Sequence, residues 1–308
     1  MTARPSSGRD TTRRDPARQD PAHQDTARAD RARRHTRYFL RWARAAAPVH
    51  LGADIDMSGV QAHRAAARAE GRRYSVVSYL LYAAGRVLAA HPEANATTAG
   101  GIVPRTLRYD RVHAKLAVDS ADADGGQRAV RVAVLPDVDL LDLAGIQQLV
   151  DRYRNGAAED LPGAEGVRRL GRLPPPLGHL AFRTAVGSRA RRAELLGTVA
   201  VSSLGHRRVD TFHSYGGTAV TLTAGRIAEV PVARATAVAV APVMRLGLTF
   251  DHRVLDGAAA ADVLDDLALL LEACDAALPG GWDAPQRRSG DRPAHQGDQS
   301  GRPVAPRG

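Results

Sequence analysis

The chain contains one cysteine, Cys274, and one lysine, Lys115, in 308 residues. A single cysteine excludes an internal disulfide, and its position on an apolar helical pattern marks it as a packed thiol rather than a nucleophile. Aromatic residues make up 4% of the sequence, too few to build a stacking platform for exposed bases. No apolar run approaches the length of a membrane span, and the opening residues carry no apolar signal core. No membrane contact and a cytoplasmic location are therefore expected. The sequence has no CxxC, no HExxH and no Walker-type GKS. His206 and His213 stand in a loop without ligand spacing, so no metal site is expected. The glycine pairs beginning at Gly125 and Gly216 lack the flanking strand and helix of a dinucleotide loop and read as turns.

The formal net charge of +10 invites a nucleic-acid reading, which its distribution argues against. Residues 1–37 hold ten arginines against five aspartates, and residues 279–308 hold five against three. Most of the excess therefore sits at the two ends, and no nucleic-acid partner is expected for the body. A five-residue repeat, DPARQ, DPAHQ, DTARA, DRARR, runs from Asp15 to Arg34. It is too polar to bury a face, so residues 1–36 read as a disordered arm and the Pro- and Gly-rich residues 279–308 as a disordered tail. The arm also offers a basic surface to an acidic partner, an attachment that salt would weaken.

Between these limits helices and strands alternate. Residues 50–57 read as a strand; Ser58 with Gln61 has the pattern of a capping box opening a helix that ends at Gly71. Ser75 caps a second helix stopped by Pro92. A strand over 129–135 precedes a helix carrying Leu143, Ile146, Leu149, Val150 and Tyr153 and closed by Gly156. Strands follow at 198–203, 218–223, 235–240 and 245–250. Residues 157–196, with a triple proline and an arginine-rich stretch, have the character of a lid, an oligomer contact or an ordinary surface excursion, and the last is the simplest. The whole is an α/β (α+β) arrangement, a mixed β-sheet flanked by helices.

The most informative segment is TFDHRVLDGA, 249–258. Leu246, Leu248 and Phe250 alternate on one strand face, and period-two parity sets His252 just past them on the buried side. A half-desolvated imidazole titrates near neutrality and can accept a proton from a thiol or hydroxyl. Asp256 and Gly257 then open a helix whose apolar face is Val263, Leu267, Leu270, Leu271, Cys274 and Leu278. Taken singly, His252 reads as a structural histidine, Asp256 as a helix cap and Ser202 as a hydroxyl ending a strand; their joint order favours catalysis.

DHRVLDG after a strand resembles the active-site signature of the 2-oxo acid dehydrogenase acyltransferases, the E2 components, which share the chloramphenicol acetyltransferase-like fold. GTVAVSSLG, Gly197 to Gly205, is similar to that family's second signature, and HPEANA, His91 to Ala96, to its Pro-Glu-x-Asn-Ala stretch. The resemblance spans roughly residues 48–275 in the family's order, and an acyltransferase domain is expected over 37–278. It implies His252 as general base, Ser202 as hydrogen-bond donor to the oxyanion, and Asp256 as the residue that keeps the loop in shape. It also implies coenzyme A as co-substrate and a homotrimer, possible building block of a larger cage, in which histidine and serine come from adjacent subunits.

The chain departs from the family pattern in several places. Lys115 lies inside HAKLAV, a predicted strand, and is no lipoylation site; a lipoyl group is expected only from another chain, on a separate lipoyl-bearing or dehydrogenase subunit. No peripheral subunit-binding domain is expected. FHSYGGTAVTLTAGRI replaces the family's Pro-Ile run and the strand after it, on the acceptor side. The reading is thus a coenzyme A-dependent acyltransferase acting on a dihydrolipoyl-like thiol or a small-molecule acceptor. The alternative is a non-catalytic trimeric assembly subunit of a dehydrogenase-like complex. No coenzyme A-binding residue is identified.

Overall fold

The computed structural model describes residues 33–99, 103–121, 128–156 and 164–274. The expected tail, and all of the expected arm except residues 33–36, lie outside them. The elements are α1 (Arg34–Ala43), β1 (Pro48–Asp56), α2 (Ser58–Ala69), α3 (Val76–Ala90), β2 (Ala96–Ala99), β3 (Arg105–Arg108), β4 (Ala114–Ala121) and β5 (Arg128–Leu135). They continue as α4 (Leu143–Asn155), α5 (Ala164–Arg172), α6 (Pro175–Gly187), α7 (Arg189–Leu196), β6 (Val199–Ser203), β7 (Val220–Arg234), β8 (Ala237–Asp251) and α8 (Gly257–Glu272). Six strands form one mixed sheet in the order β1-β8-β7-β6-β4-β5, and β2 pairs with β3 separately. Strand β6 is parallel to both neighbours, β4 and β7; the other pairings are antiparallel. Among the described residues, no helix is long and apolar enough to cross a membrane.

Each face of the sheet has its own character, and both are set by alternation. Leu116, Val199, Val201, Val220, Leu222, Leu246, Leu248 and Phe250 are buried together on one face, against α3 and α8. Helix α3 is apolar around most of its circumference and lies within the core, with residues from Ser78 to Gly85 all buried. There Gly85 is obligatory, because a Cβ would stand 2.7 Å from the carbonyl oxygen of Val138. Ser75 caps α3 as expected, accepting from the amide of Ser78. Gly71 ends the preceding helix with φ of +78°.

The opposite face is polar: in register it carries Lys115, Ala200, Thr221, Thr249 and His50 in one row, and Ala117, Ser202, Thr223 and Gly247 in the next. Above it lies a second, smaller core of Tyr38, Phe182, Val186 and Leu196, with Phe39, Trp42 and Leu170 packed against it. Residues 164–196 are therefore more than a surface excursion. They form three helices that, with α1, shelter part of the polar face.

Two other expectations change. Ser58 does not cap α2: it is the first helical residue, Met57 holds the cap position without a side-chain bond, and the Ser58 amide donates to Asp56 Oδ1 at 2.9 Å. The four short strands expected after residue 197 are three, because β7 and β8 each run fifteen residues and meet in a long hairpin.

The HPEANA stretch has a structural role. Asn95, almost wholly buried, donates its amide to the carbonyls of Tyr109 and Arg111 at 3.1 and 3.0 Å, which ties the end of α3 to the segment before β4. Asn95→Ala removes both bonds and should cost about 2–3 kcal/mol, read as a lower urea midpoint with an unchanged slope.

Candidate active site

Strand β8 ends at Asp251, and five residues, the first three a turn, lead into α8. Parity turns Asp251 to the polar face, away from Phe250, where it is 2% exposed. A carboxylate there needs donors, and it has four. The Ala47 amide reaches it at 3.3 Å, the Arg253 amide at 3.2 Å, the Arg253 guanidinium at 2.9 and 2.5 Å, and the Tyr215 hydroxyl at 3.1 Å. Burial pushes its pKa up, but the hydrogen bonds and charge of Arg253 with the Ala47 amide outweigh that, so it lies below the usual carboxylate value. Burial, followed by the Asp251 charge, raises Tyr215 well above the ordinary phenol, so it remains a proton donor to this carboxylate.

His252 follows directly. Its amide donates to the Ala47 carbonyl at 2.8 Å, so the edge strand's approach and the end of β8 fix its backbone. The ring lies 5.5 Å from that of Phe250, and 49% of the side chain is open. Strand parity alone suggested a more enclosed imidazole; the chain leaves the sheet at Asp251, and the next residue is carried into the open. Nδ1 is 3.8 Å from Asp256 Oδ1, beyond hydrogen-bond range. The Asp256 side chain is 91% exposed and makes no capping bond to α8. Its backbone does the shaping, since its carbonyl accepts the Ala260 amide at 2.9 Å. Within the protomer, the side-chain bonds that anchor this turn are those of Asp251.

Ser202 is the fourth residue of β6 and half-buried on the polar face. Its neighbour Ser203 is already committed, accepting the Gly205 amide at 3.2 Å in the turn after the strand. Ser202 pairs with Thr223, which pairs with Gly247, and His252 lies just past the end of β8, five residues after Gly247. The four strand steps from Gly247 to Asp251 rise about 14 Å and two strand spacings cover about 10 Å, which puts Ser202 about 17 Å from the end of β8 where His252 begins its turn. One chain does not bring them together.

Sequence reasoning missed the Asp251–Arg253–Tyr215 set, although Asp251 and Arg253 flank His252 in the motif and parity alone would have turned Asp251 inward. It also missed His50, whose Nδ1 is 2.8 Å from Thr249 Oγ1 and whose ring stacks on His213 at 4.6 Å. Burial, and then the neighbouring His213, lowers the His50 pKa. Among the described residues no group of three or more metal-binding side chains occurs.

Residues 185–278 match the sequence model of the family described as 2-oxoacid dehydrogenases acyltransferase (catalytic domain). This stretch is similar in sequence to E2 catalytic domains. It holds Ser202, Asp251, His252 and Asp256 together. Solved structures extend the likeness to the whole domain. The cubic core of the pyruvate dehydrogenase multienzyme complex superposes with a TM-score of 0.57 at 22% identity, covering 88% of this chain and 98% of that one. A probable dihydrolipoamide acetyltransferase from Listeria monocytogenes gives 0.54 at 18% identity, covering 83% and 94%. The dihydrolipoamide acetyltransferase of Azotobacter vinelandii, studied for the role of a serine, a histidine and an asparagine in its catalytic mechanism, gives 0.57 at 22% identity over 88% and 98%. The fold is that of these E2 cores, as the sequence resemblance implied.

The Asp251 cluster gives the domain an acid-sensitive point. Because the folded-state pKa is lowered, the contribution is full above the unfolded value near 4 and is lost as pH falls through the folded value. Asp251→Asn should cost about 2–3 kcal/mol at neutral pH, less than a fully enclosed pair because Arg253 keeps water contact. Its loss of stability relative to the unchanged protein should shrink below about pH 4, as urea midpoints measured across pH would record.

Proposed function

We propose that the protein is an acyltransferase of the E2 catalytic type, moving an acyl group between coenzyme A and a thiol or small-molecule acceptor. It works as a cytoplasmic homotrimer, alone or within a larger cage, at sites shared between adjacent protomers. A lipoyl group enters only if another chain carries it. The observation that carries this reading is the wide separation of Ser202 and His252 in one protomer, on a domain with E2 sequence and fold. Two groups that must meet one carbonyl cannot do so within a single chain. They can do so if His252, open at one end of the sheet, faces the Ser202 end of a neighbour.

The chemistry follows from the residue types. His252 Nε2, the ring nitrogen turned away from Asp256, takes the proton of the attacking thiol or hydroxyl. The nucleophile adds to the thioester carbonyl, and the hydroxyl of Ser202 donates a hydrogen bond to the oxygen as it becomes negative. Collapse breaks the C–S bond, and the leaving thiolate recovers the proton from the imidazolium. Asp251 keeps the turn rigid, so that the imidazole is presented at a fixed angle. In the Azotobacter enzyme the asparagine follows the histidine by four residues, and Asp256 follows His252 by the same interval. Ser203 is already engaged with the Gly205 amide, which favours Ser202 as the donor.

His252→Ala should lower turnover of acetyl-CoA with dihydrolipoamide or an amine acceptor by about 10²–10⁴, and Ser202→Ala by about 10²–10³. Co-expressing the two variants in equal amounts should restore about a quarter of the unchanged activity, since mixed trimers then contain intact shared sites. Activity that stays low in the mixture would place both groups in one protomer's site, and His252→Ala without effect would favour the assembly-subunit reading.

A further inference from the structure

We propose that Lys115 is a specificity-determining residue, whose ammonium receives a carboxylate carried by the transferred acyl group or by the acceptor. The proposal rests on the acyl-transfer reading and names a class of substrate for the same site.

Position is the first argument. Lys115 pairs with Ala200 across β4 and β6, while Ala117 pairs with Ser202. Lys115 and Ser202 therefore point to the same face as diagonal neighbours, with Cα atoms about 8 Å apart. The Lys115 Nζ donates to the Gly216 carbonyl and lies 5.0 Å from the centre of the Phe39 ring. The Gly216 amide is held by Thr221 Oγ1 at 2.9 Å, and Thr221 pairs with Ala200. The ammonium thus stands over Ala200 and Thr221, one step along the sheet from the candidate oxyanion donor. A short carboxylated chain spans that step.

Charge is the second. Among the described residues Lys115 forms no ion pair with a carboxylate. Burial lowers its pKa to about 8, and no neighbouring charge contributes. The residue nevertheless keeps part of its surface open. An ammonium has three N–H donors, and the Gly216 carbonyl takes one. Leaving a cation enclosed and unpaired costs free energy that an apolar side chain at this position would avoid. An incoming carboxylate supplies the missing charge. The composition sharpens the point, because the chain carries forty-two arginines and this one lysine. The single lysine is thus an internal one, held among Gly216 and Phe39.

The same composition provides the test, since ¹³C-lysine labelling of the full chain yields one side-chain signal. Titrated over pH, that signal should report a pKa of about 8, and should move to higher pH with succinyl-CoA but not with butyryl-CoA. Dihydrolipoate against dihydrolipoamide distinguishes an anionic acceptor from an anionic acyl group. In steady-state kinetics Lys115→Met should lower kcat/KM for the carboxylated member of the responding pair by about ten- to a hundredfold and leave its neutral counterpart unchanged. Lys115→Arg should retain the preference. A lysine signal that ignores every carboxylated probe, or a Met variant that slows both members alike, overturns the proposal. Turnover of neutral substrates with a silent Lys115 sinks this assignment alone, whereas absence of turnover with any acyl-CoA sinks the acyl-transfer reading beneath it.

Discussion

A carboxylate taken out of water at the end of β8 governs the candidate site. Asp251 is stable there only because two backbone amides, a guanidinium and a phenol converge on it, and these donors come from separate parts of the chain. Ala47 lies just before the edge strand, Tyr215 in the segment covering the polar face, and Arg253 in the turn itself. Satisfying one buried charge therefore fixes three segments relative to one another, and the imidazole of His252 inherits its position from that arrangement. The imidazole of His252 can stay open to solvent because its neighbour in sequence anchors the turn.

The two faces of the sheet differ in character. One is covered by α3 and α8 and supplies most of the apolar burial. The other carries threonines, Ser202, Lys115 and His50, and is sheltered by a small aromatic core that includes Phe39, Trp42 and Phe182. A polar surface of this kind is poor at holding a fold together but suited to a polar substrate. Because Ser202 and His252 occupy distant levels of the sheet, association with another copy is a condition of the proposed chemistry rather than an addition to it.

The sequence made the central elements legible because their physical signals are local. Ser75 and Gly71 act within one turn of helix, and Leu246, Leu248 and Phe250 alternate without interruption. Strands β7 and β8 were harder to read, since Pro231 and Pro242 interrupt their patterns and the register shifts between Ala224 and Ile227. Periodicity registers such long twisted ribbons as several short strands. The helices of residues 164–196 were hidden by proline and arginine, their apolar positions being few and facing α1. Asp251 was readable in principle by parity, but a carboxylate beside a histidine draws attention to the histidine. The stacking of His50 on His213 depends on tertiary folding and leaves no trace in sequence spacing.

The contact between Ala47 and the end of β8 joins residues 204 positions apart, and β1 pairs with β8 along its whole length. Closing so long a loop is entropically costly and comes late in folding. During synthesis, helices α2 and α3 can form while the ribosome is still far from His252, whereas the turn at His252 must wait for nearly the entire domain to emerge. Until then β1 has no β8 to bind, and its bare edge is the part of the nascent chain most open to mispairing.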